Sequence, residues 1–506
     1  MSGSKRIVRN TIFLYIRMLV VMGTSLYTVR VVLHALGVDD FGILGIAGSL
    51  IALLSFLNGA MSQAAQRFLS VDIGRGDSIA LGRTFNATLA THAAIAAGVV
   101  IVAETAGLWF LTTHINIPDE RISAAAFVYH CSVASAAILI LQTPFNALVV
   151  AREKMWFFSA ISILEAALKL IVAWLVSHIS GDRLMAYGAL LLGSAAAIFL
   201  SHAVFCRLRF EEARLSPHRD LATYRALTGF ISWSFVGNLA SVSRNQGVNV
   251  LLNIFFGPIA NAAHAVMTQS QTAATAFANS FQMALNPQIY QTYARSELER
   301  MQELVRVGSK LNFLLLLLAT APVLHSTQYL LDVWLGTPPP MTATFVQWML
   351  VTLLIDSISQ PLITAAMATG VIKKYQILVG GTIIMTIPLS FVAFSVTSDP
   401  KSFLYISAAI SIVTLGMRVA LLRSMINFDS LQFVKNTLIP IALASIAPIV
   451  FSAAWSACFG EVETMQSMLC SAALIASSTL FAAVFFGLTS PERSFVLQTI
   501  RNRIPR

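Results

Sequence analysis

A run of about 20 apolar residues is long enough to cross the hydrocarbon core of a bilayer, and this chain holds fourteen such runs in succession. They lie approximately at 10–36, 41–66, 84–112, 123–149, 156–178, 184–206, 226–255, 260–289, 308–334, 342–369, 375–396, 402–422, 436–456 and 467–489. Inside lipid every backbone N–H and C=O must be satisfied by the chain itself, which runs of this length do as α-helices. The expected fold class is therefore all-α and integral to a membrane, with about fourteen transmembrane helices. Composition agrees. Only 11% of the 506 residues are charged and 57% are hydrophobic, whereas a water-facing domain carries roughly 25% charge.

The basic residues orient these helices. With the N-terminus in the cytoplasm, 26 of the 33 Lys and Arg fall in loops on the inner face, including Lys310 and Arg418, and only Arg121, Arg183 and Lys401 fall outside. Such asymmetry is the mark of N-in, C-in topology. It also accounts for the net charge of +10 without nucleic acid. The N-terminal Lys5, Arg6 and Arg9 precede an apolar run too long for a signal peptide and interrupted by Arg17 and Arg30, so it reads as a retained first helix. Cys131, Cys206, Cys458 and Cys470 have no CxxC spacing and the histidines no metal pattern, so neither a metal nor a cofactor is expected. The inner stretch from Arg295 to Lys310 suggests a short amphipathic helix with Leu298, Met301, Leu304 and Val305 on one face.

An internal repeat divides the chain. Gln142-Thr-Pro144 followed by Ala151-Arg-Glu-Lys154 matches Ser359-Gln-Pro361 followed by Ala368 through Lys374. Leu36-Gly37 matches Phe256-Gly257, and Phe56-x-Asn58 matches Phe277-x-Asn279, all at similar offsets near 220. These predict two pseudo-symmetric six-helix lobes, 1–215 and 216–430, with two further helices and a cytoplasmic tail at 431–506. Lobes of six helices share orientation, the parallel-repeat plan of many transporters.

Charges within the spans point to a site, because each costs roughly 2.5–3.5 kcal/mol at the bilayer centre on insertion scales. The cations are Arg17, Arg30, Lys169 and Arg244; the acids are Glu104, Glu165 and Asp356, with Asp332 near an outer end. Plain alternatives exist. Arg17 and Arg30 could snorkel to the faces, and Glu165 could neutralise Lys169 at i, i+4. Arg244 lies too deep for easy escape. Polar stripes accompany these charges: Ser234, Asn238, Ser241, Asn245 and Asn249 on the seventh helix; His264, Thr268, Gln271, Thr275, Asn279, Gln282 and Asn286 on the eighth; and Ser55, Asn58, Ser62 and Gln66 on the second. Interhelical hydrogen bonding explains one stripe; several, with deep cations, suggest a solvated passage between the lobes. Pro144, Pro287 and Pro361 are candidate kink points.

The opening Asn10-Thr-Ile-Phe-Leu-Tyr-Ile-Arg17, Ala35-Leu-Gly-Val-Asp-Asp-Phe-Gly-Ile43, Ser55-Phe-Leu-Asn58, Arg67-Phe-Leu-Ser70, and the stretches Pro144 to Lys154 and Pro361 to Tyr375 resemble polysaccharide flippases of the Wzx type. These belong to the multidrug/oligosaccharidyl-lipid/polysaccharide (MOP) exporter superfamily. The resemblance implies a V-shaped pair of lobes in the bacterial inner membrane. It also implies alternating access, and transfer of undecaprenyl-diphosphate-linked oligosaccharide from the cytoplasmic to the periplasmic leaflet for O-antigen, exopolysaccharide or capsule synthesis. On this reading Arg17, Arg30, Lys169 and Arg244 meet the diphosphate, and Asn245, Asn249, Gln271 and Asn279 meet sugar hydroxyls. Asp356, Glu104 and Glu165 are candidates for ion coupling. The expected partners are the lipid-linked oligosaccharide and membrane lipid, with a polysaccharide polymerase and a chain-length regulator. Rival readings within the superfamily are a multidrug or metabolite antiporter and a lipid II flippase. A membrane-embedded glycosyltransferase would want a large outer loop, and none is visible, so Asp39 and Asp40 read as capping or loop acids and the chain as a non-enzyme.

Overall fold

The computed structural model describes residues 3–52, 55–114, 119–214, 216, 220–489 and 492–493, with some side chains before residue 58 left undescribed. The helices, in chain order, are α1 Gly3–Ala52, α2 Ser55–Arg75, α3 Ser78–Val102, α4 Leu108–His114, α5 Ile122–Ala151, α6 Met155–Ser177, α7 Arg183–Arg209, α8 Leu221–Ala294 and α9 Leu298–His325. They continue as α10 Thr327–Leu335, α11 Thr342–Thr369, α12 Lys373–Ile384, α13 Thr386–Thr397, α14 Ser402–Ile426, α15 Ser430–Phe433, α16 Ile439–Phe459 and α17 Met465–Ala482. No strand occurs among the described residues.

Ten helical stretches among the described residues are long and apolar enough to span a membrane. They match ten of the expected runs, from Ser78–Leu111 to Met465–Gly487. The other four expected runs fall on α1, α2 and α8, which are not among these ten. Asn238, Arg244, Asn245 and Asn249 dilute the apolar character of α8 where a span was expected.

Helix ends carry the expected signals. Asp77, Asp182 and Asp220 cap α3, α7 and α8 by accepting from amides in the first turn, and Thr464 with Ser467 forms a capping box on α17. Gly370 closes α11 in the left-handed conformation. In the loop before α5, Arg121 donates from Nε to Asp40 at 2.9 Å and from Nη1 to Asp182 at 2.8 Å. The hydrogen bond with Asp40 is the main reason its guanidinium is held above its usual value. Asp40 is thus an ion-pair partner rather than a cap, and the Asp39 side chain lies outside the described residues.

Two compact units emerge. Residues 1–239 with 290–296 form the first, and 240–289 with 297–506 the second, which includes the two C-terminal helices. In the first unit the core gathers Val128, Tyr129 and Val133 of α5 with Leu184 of α7. Gly188 lets α7 approach closely, since a Cβ there would sit 3.1 Å from Val128. In the second unit Val248, Leu252 and Met267 of α8 pack against Phe345 and Met349 of α11, Phe394 of α13 and Phe403 of α14.

The breaks do not fall at the prolines. Pro144 and Pro361 sit inside continuous α5 and α11. The breaks come at Gly37 in α1 and Gly257 in α8, both with positive φ. Two further expectations are corrected. Met301 and Val305 are buried in the opening turns of the long α9, not on a separate short helix. Lys310 and Arg418, expected in inner loops, are buried within α9 and α14.

Candidate functional site

The polar face of α8 reaches its richest surroundings within the second unit. Arg244 and Asp356 together line two adjoining cavities, of about 190 Å³ and about 50 Å³. Asn245 and Gln271 line the smaller one, so four of the expected residues meet here. Arg244 donates from Nε to the Asn245 side-chain oxygen at 3.3 Å. Asp356 and Ser359 lie one turn apart on α11, and both face the larger cavity.

Sequence reasoning missed the residue that completes this site. Arg418 of α14 lines the larger cavity and is only 6% exposed. Its Nε donates to the Tyr375 hydroxyl at 3.2 Å, and its Nη1 donates to Ser359 at 3.0 Å and Thr414 at 3.2 Å. These acceptors satisfy N–H groups but carry no charge. Among the described residues neither Arg418 nor Arg244 has a carboxylate within 4 Å, and Nη2 of Arg418 has no protein acceptor. Two guanidinium groups thus share a cavity with one carboxylate, leaving net positive charge inside a membrane-spanning bundle. A missed signal lay in the sequence: Ser407, Ser411, Thr414 and Arg418 fall on one face of α14 at helical spacing. Arg418 looked like a loop cation because it lies only two turns from the end of its helix.

The first unit holds a second charged group. Glu165 and Lys169 of α6 pair at 2.7 Å and line a cavity of about 330 Å³ together with Ser132, Ser135 and Gln142 of α5. Arg17 of α1 stacks over the Phe158 ring at 4.6 Å, and its Nε is buried without a hydrogen-bond partner. The Glu165 charge reaches Arg17 and also His202 of α7. Here too two cations share one acid.

The remaining expected residues lie elsewhere. Glu104 sits in a wide π turn, Ala103–Gly107, and bonds His130 at 2.7 Å. The turn is held open by the Tyr129 hydroxyl, which donates to the Ala103 carbonyl at 2.8 Å. Asn249 accepts from Asn261 across the Gly257 break at 3.2 Å. Asn279 is exposed and lines none of these cavities. The Arg30 side chain lies outside the described residues. Gln282 and Asn286 are joined to Thr364 of α11 by hydrogen bonds of 3.0 and 2.8 Å, which lock helices within the second unit.

The fold is one known from solved membrane transporters. An outward-facing multidrug-resistance transporter of the MATE family, in the MOP superfamily, aligns with a TM-score of 0.73 at 13% identity, covering 84% of this chain and 96% of that one. A MOP-superfamily transporter from Pyrococcus furiosus, described as having a binding pocket of reversed polarity that suggests a different function, aligns at TM-score 0.71 and 12% identity, covering 84% and 98%. A MATE structure in a straight conformation aligns at 0.68 and 14% identity, covering 84% and 97%. No family model and no curated protein sequence matches the chain.

Proposed function

We propose that this protein is a transporter that flips an undecaprenyl-diphosphate-linked oligosaccharide from the cytoplasmic to the periplasmic leaflet of a bacterial inner membrane by alternating access, for surface polysaccharide synthesis. One observation carries the reading: among the described residues, Arg244 and Arg418 line a cavity in which Asp356 is the one acid. A buried guanidinium without a counter-ion is costly in a membrane and is retained where an anion visits. A diphosphate suits the planar fork of Arg. Arg17 and Lys169, sharing Glu165, extend the same charge pattern to the first unit. The hydroxyl and amide groups of Ser407, Ser411, Asn245 and Gln271 offer partners for a sugar. Asp356, placed beside two cations, is the best candidate for ion coupling, with Glu165 and Glu104 behind it. The two lobes derive from the sequence repeat, with both termini in the cytoplasm. A polysaccharide polymerase and a chain-length regulator are the protein partners this role implies.

The MATE-like fold favours a second reading, a multidrug or metabolite antiporter; a lipid II flippase is a further relative. The P. furiosus neighbour, whose pocket polarity was taken to suggest a different function, supports weighing cavity charge above fold. Deleting the gene separates these readings. Flipping predicts loss of surface polysaccharide and accumulation of lipid-linked repeat units on the cytoplasmic side. Intact glycan with altered drug sensitivity would instead establish the antiporter.

A further inference from the structure

A fourth charged cavity lies at the ends of spans rather than within them. It measures about 770 Å³ and, among the described residues, is lined by Arg83, Arg152, Lys154, Arg209 and Arg214 against two acids, Glu211 and Glu212. Every wall comes from the same membrane face. Ser78, Ile79 and Arg83 stand in the first turns of α3, Arg152 follows α5, Lys154 precedes α6, and Arg209 ends α7. This is the face that the distribution of basic residues assigns to the cytoplasm.

The pocket is built, not accidental. Asn86 of α3 fixes the Arg214 wall, donating to the Arg214 carbonyl at 3.1 Å and accepting from the Ser216 amide at 3.0 Å. Arg152 is tied to Glu212 by its Nε at 2.8 Å and Nη2 at 2.5 Å, which consumes one of the two acids. Among the described residues, Arg83, Lys154, Arg209 and Arg214 make no ion pair within 4 Å, although Asp220 lies within electrostatic reach of Arg83. Like charges gathered in a concavity repel unless an anion joins them. The volume far exceeds what one inorganic phosphate would fill. Ile79, on the wall, is 75% exposed, and Leu208, next to Arg209 in the chain, is 80% exposed.

We propose that this pocket binds the phosphate headgroup of an anionic phospholipid of the cytoplasmic leaflet, with its acyl chains against Ile79 and Leu208. Basic pockets between transmembrane helices on this side suit such headgroups. The site shares no lining residue with the three cavities described above and does not depend on what the protein transports.

The test uses the full chain in phosphatidylcholine nanodiscs, titrated with fluorescently labelled diphosphatidylglycerol. Combining Arg83→Gln, Arg209→Gln and Arg214→Gln removes three unpaired pocket cations while leaving the Arg152–Glu212 tie. Combining Arg207→Gln, Arg225→Gln and Arg423→Gln removes three exposed cations that do not line the pocket. The pocket variant is expected to bind the lipid roughly 100-fold more weakly, and the control variant no more than a few-fold. Equal losses in both variants, or no loss in either, would overturn the proposal. Inorganic pyrophosphate in competition separates lipid from free phosphoanion. Displacement only at concentrations roughly 100-fold above the lipid fits a headgroup site, and displacement at equal concentration would refute the lipid assignment.

Discussion

Gly37 and Gly257 hold nearly the same backbone conformation, φ 80° and ψ 174° in the first and φ 71° and ψ −165° in the second. The sequence pairs Leu36-Gly37 with Phe256-Gly257, and each glycine breaks a helix within its own unit. This region of φ/ψ space is essentially closed to residues with a Cβ. Nothing lies within 4 Å of where a Cβ would stand at either position, so the requirement is of the backbone alone.

Gly37→Ala and Gly257→Ala should therefore each destabilise the protein by about 1–3 kcal/mol through backbone strain, read as a lowered melting temperature in detergent. Gly98→Ala, in a helical position with equally open space, should be neutral or stabilising by up to about 1 kcal/mol. Equal behaviour of all three variants would remove the argument.

Arg418 separates an anion-binding role from a structural one. Arg418→Gln keeps a donor for Ser359 or Tyr375 but removes the charge; Arg418→Lys keeps the charge but loses the fork. A hydrogen bond to a charged group is worth about 1.5–3 kcal/mol. Export of glycan in a complementation assay should thus fall roughly tenfold or more in the Gln variant and less in the Lys variant, at unchanged membrane abundance. If Arg418 only braces α14 against α11 and α12, the Lys variant will lose as much as the Gln variant and both will melt early.

What the sequence disclosed followed period and composition. Ten span positions were legible because apolar length is set by the bilayer, and Arg244, Asn245, Gln271 and Asp356, singled out as polar groups in lipid, line one cavity. The burial of Arg418 and Lys310 was not legible, because a cation near the inner end of an apolar run reads the same in a loop as in a buried helix. Packing alone settles which one a cation enters. The breaks at Gly37 and Gly257 were not legible, because a glycine's positive φ cannot be read from its identity. Asn249 lies before the Gly257 break and bonds Asn261 across it, while Asn279, on the same half of α8 as Gln271 and two turns further on, is exposed and lines none of the cavities described above.

The π turn beside Glu104 depends on one close contact. A Cβ on Gly107 would lie 2.1 Å from the Tyr129 hydroxyl, which holds the Ala103 carbonyl. Gly107→Ala should cost about 1–3 kcal/mol by overpacking, and most of that cost should vanish in a Tyr129→Phe background. Additive effects of the two substitutions in thermal unfolding would disprove the coupling.

The ion pair between Lys310 and Glu492 should behave as a structural clasp. Lys310 is 1% exposed, bonds Glu492 at 2.6 Å and donates to the Asn436 carbonyl at 3.0 Å, joining α9 to the residues before α16 and after α17. Glu492 also accepts from the Thr489 amide at 2.8 Å, so the acid is oriented before the lysine arrives. Removing one member of a buried pair strands the other. Lys310→Met alone should therefore destabilise strongly, by about 3–5 kcal/mol at the buried limit and less to the extent that Glu492 reaches water. Adding Glu492→Gln removes the stranded charge and should recover a large part of the loss, because a neutral pair of similar volume no longer needs a counter-ion. Unfolding of the single and double variants in the same detergent checks this. A double variant no more stable than Lys310→Met would mean that the Asn436 contact, not the ion pair, holds this end of the second unit together.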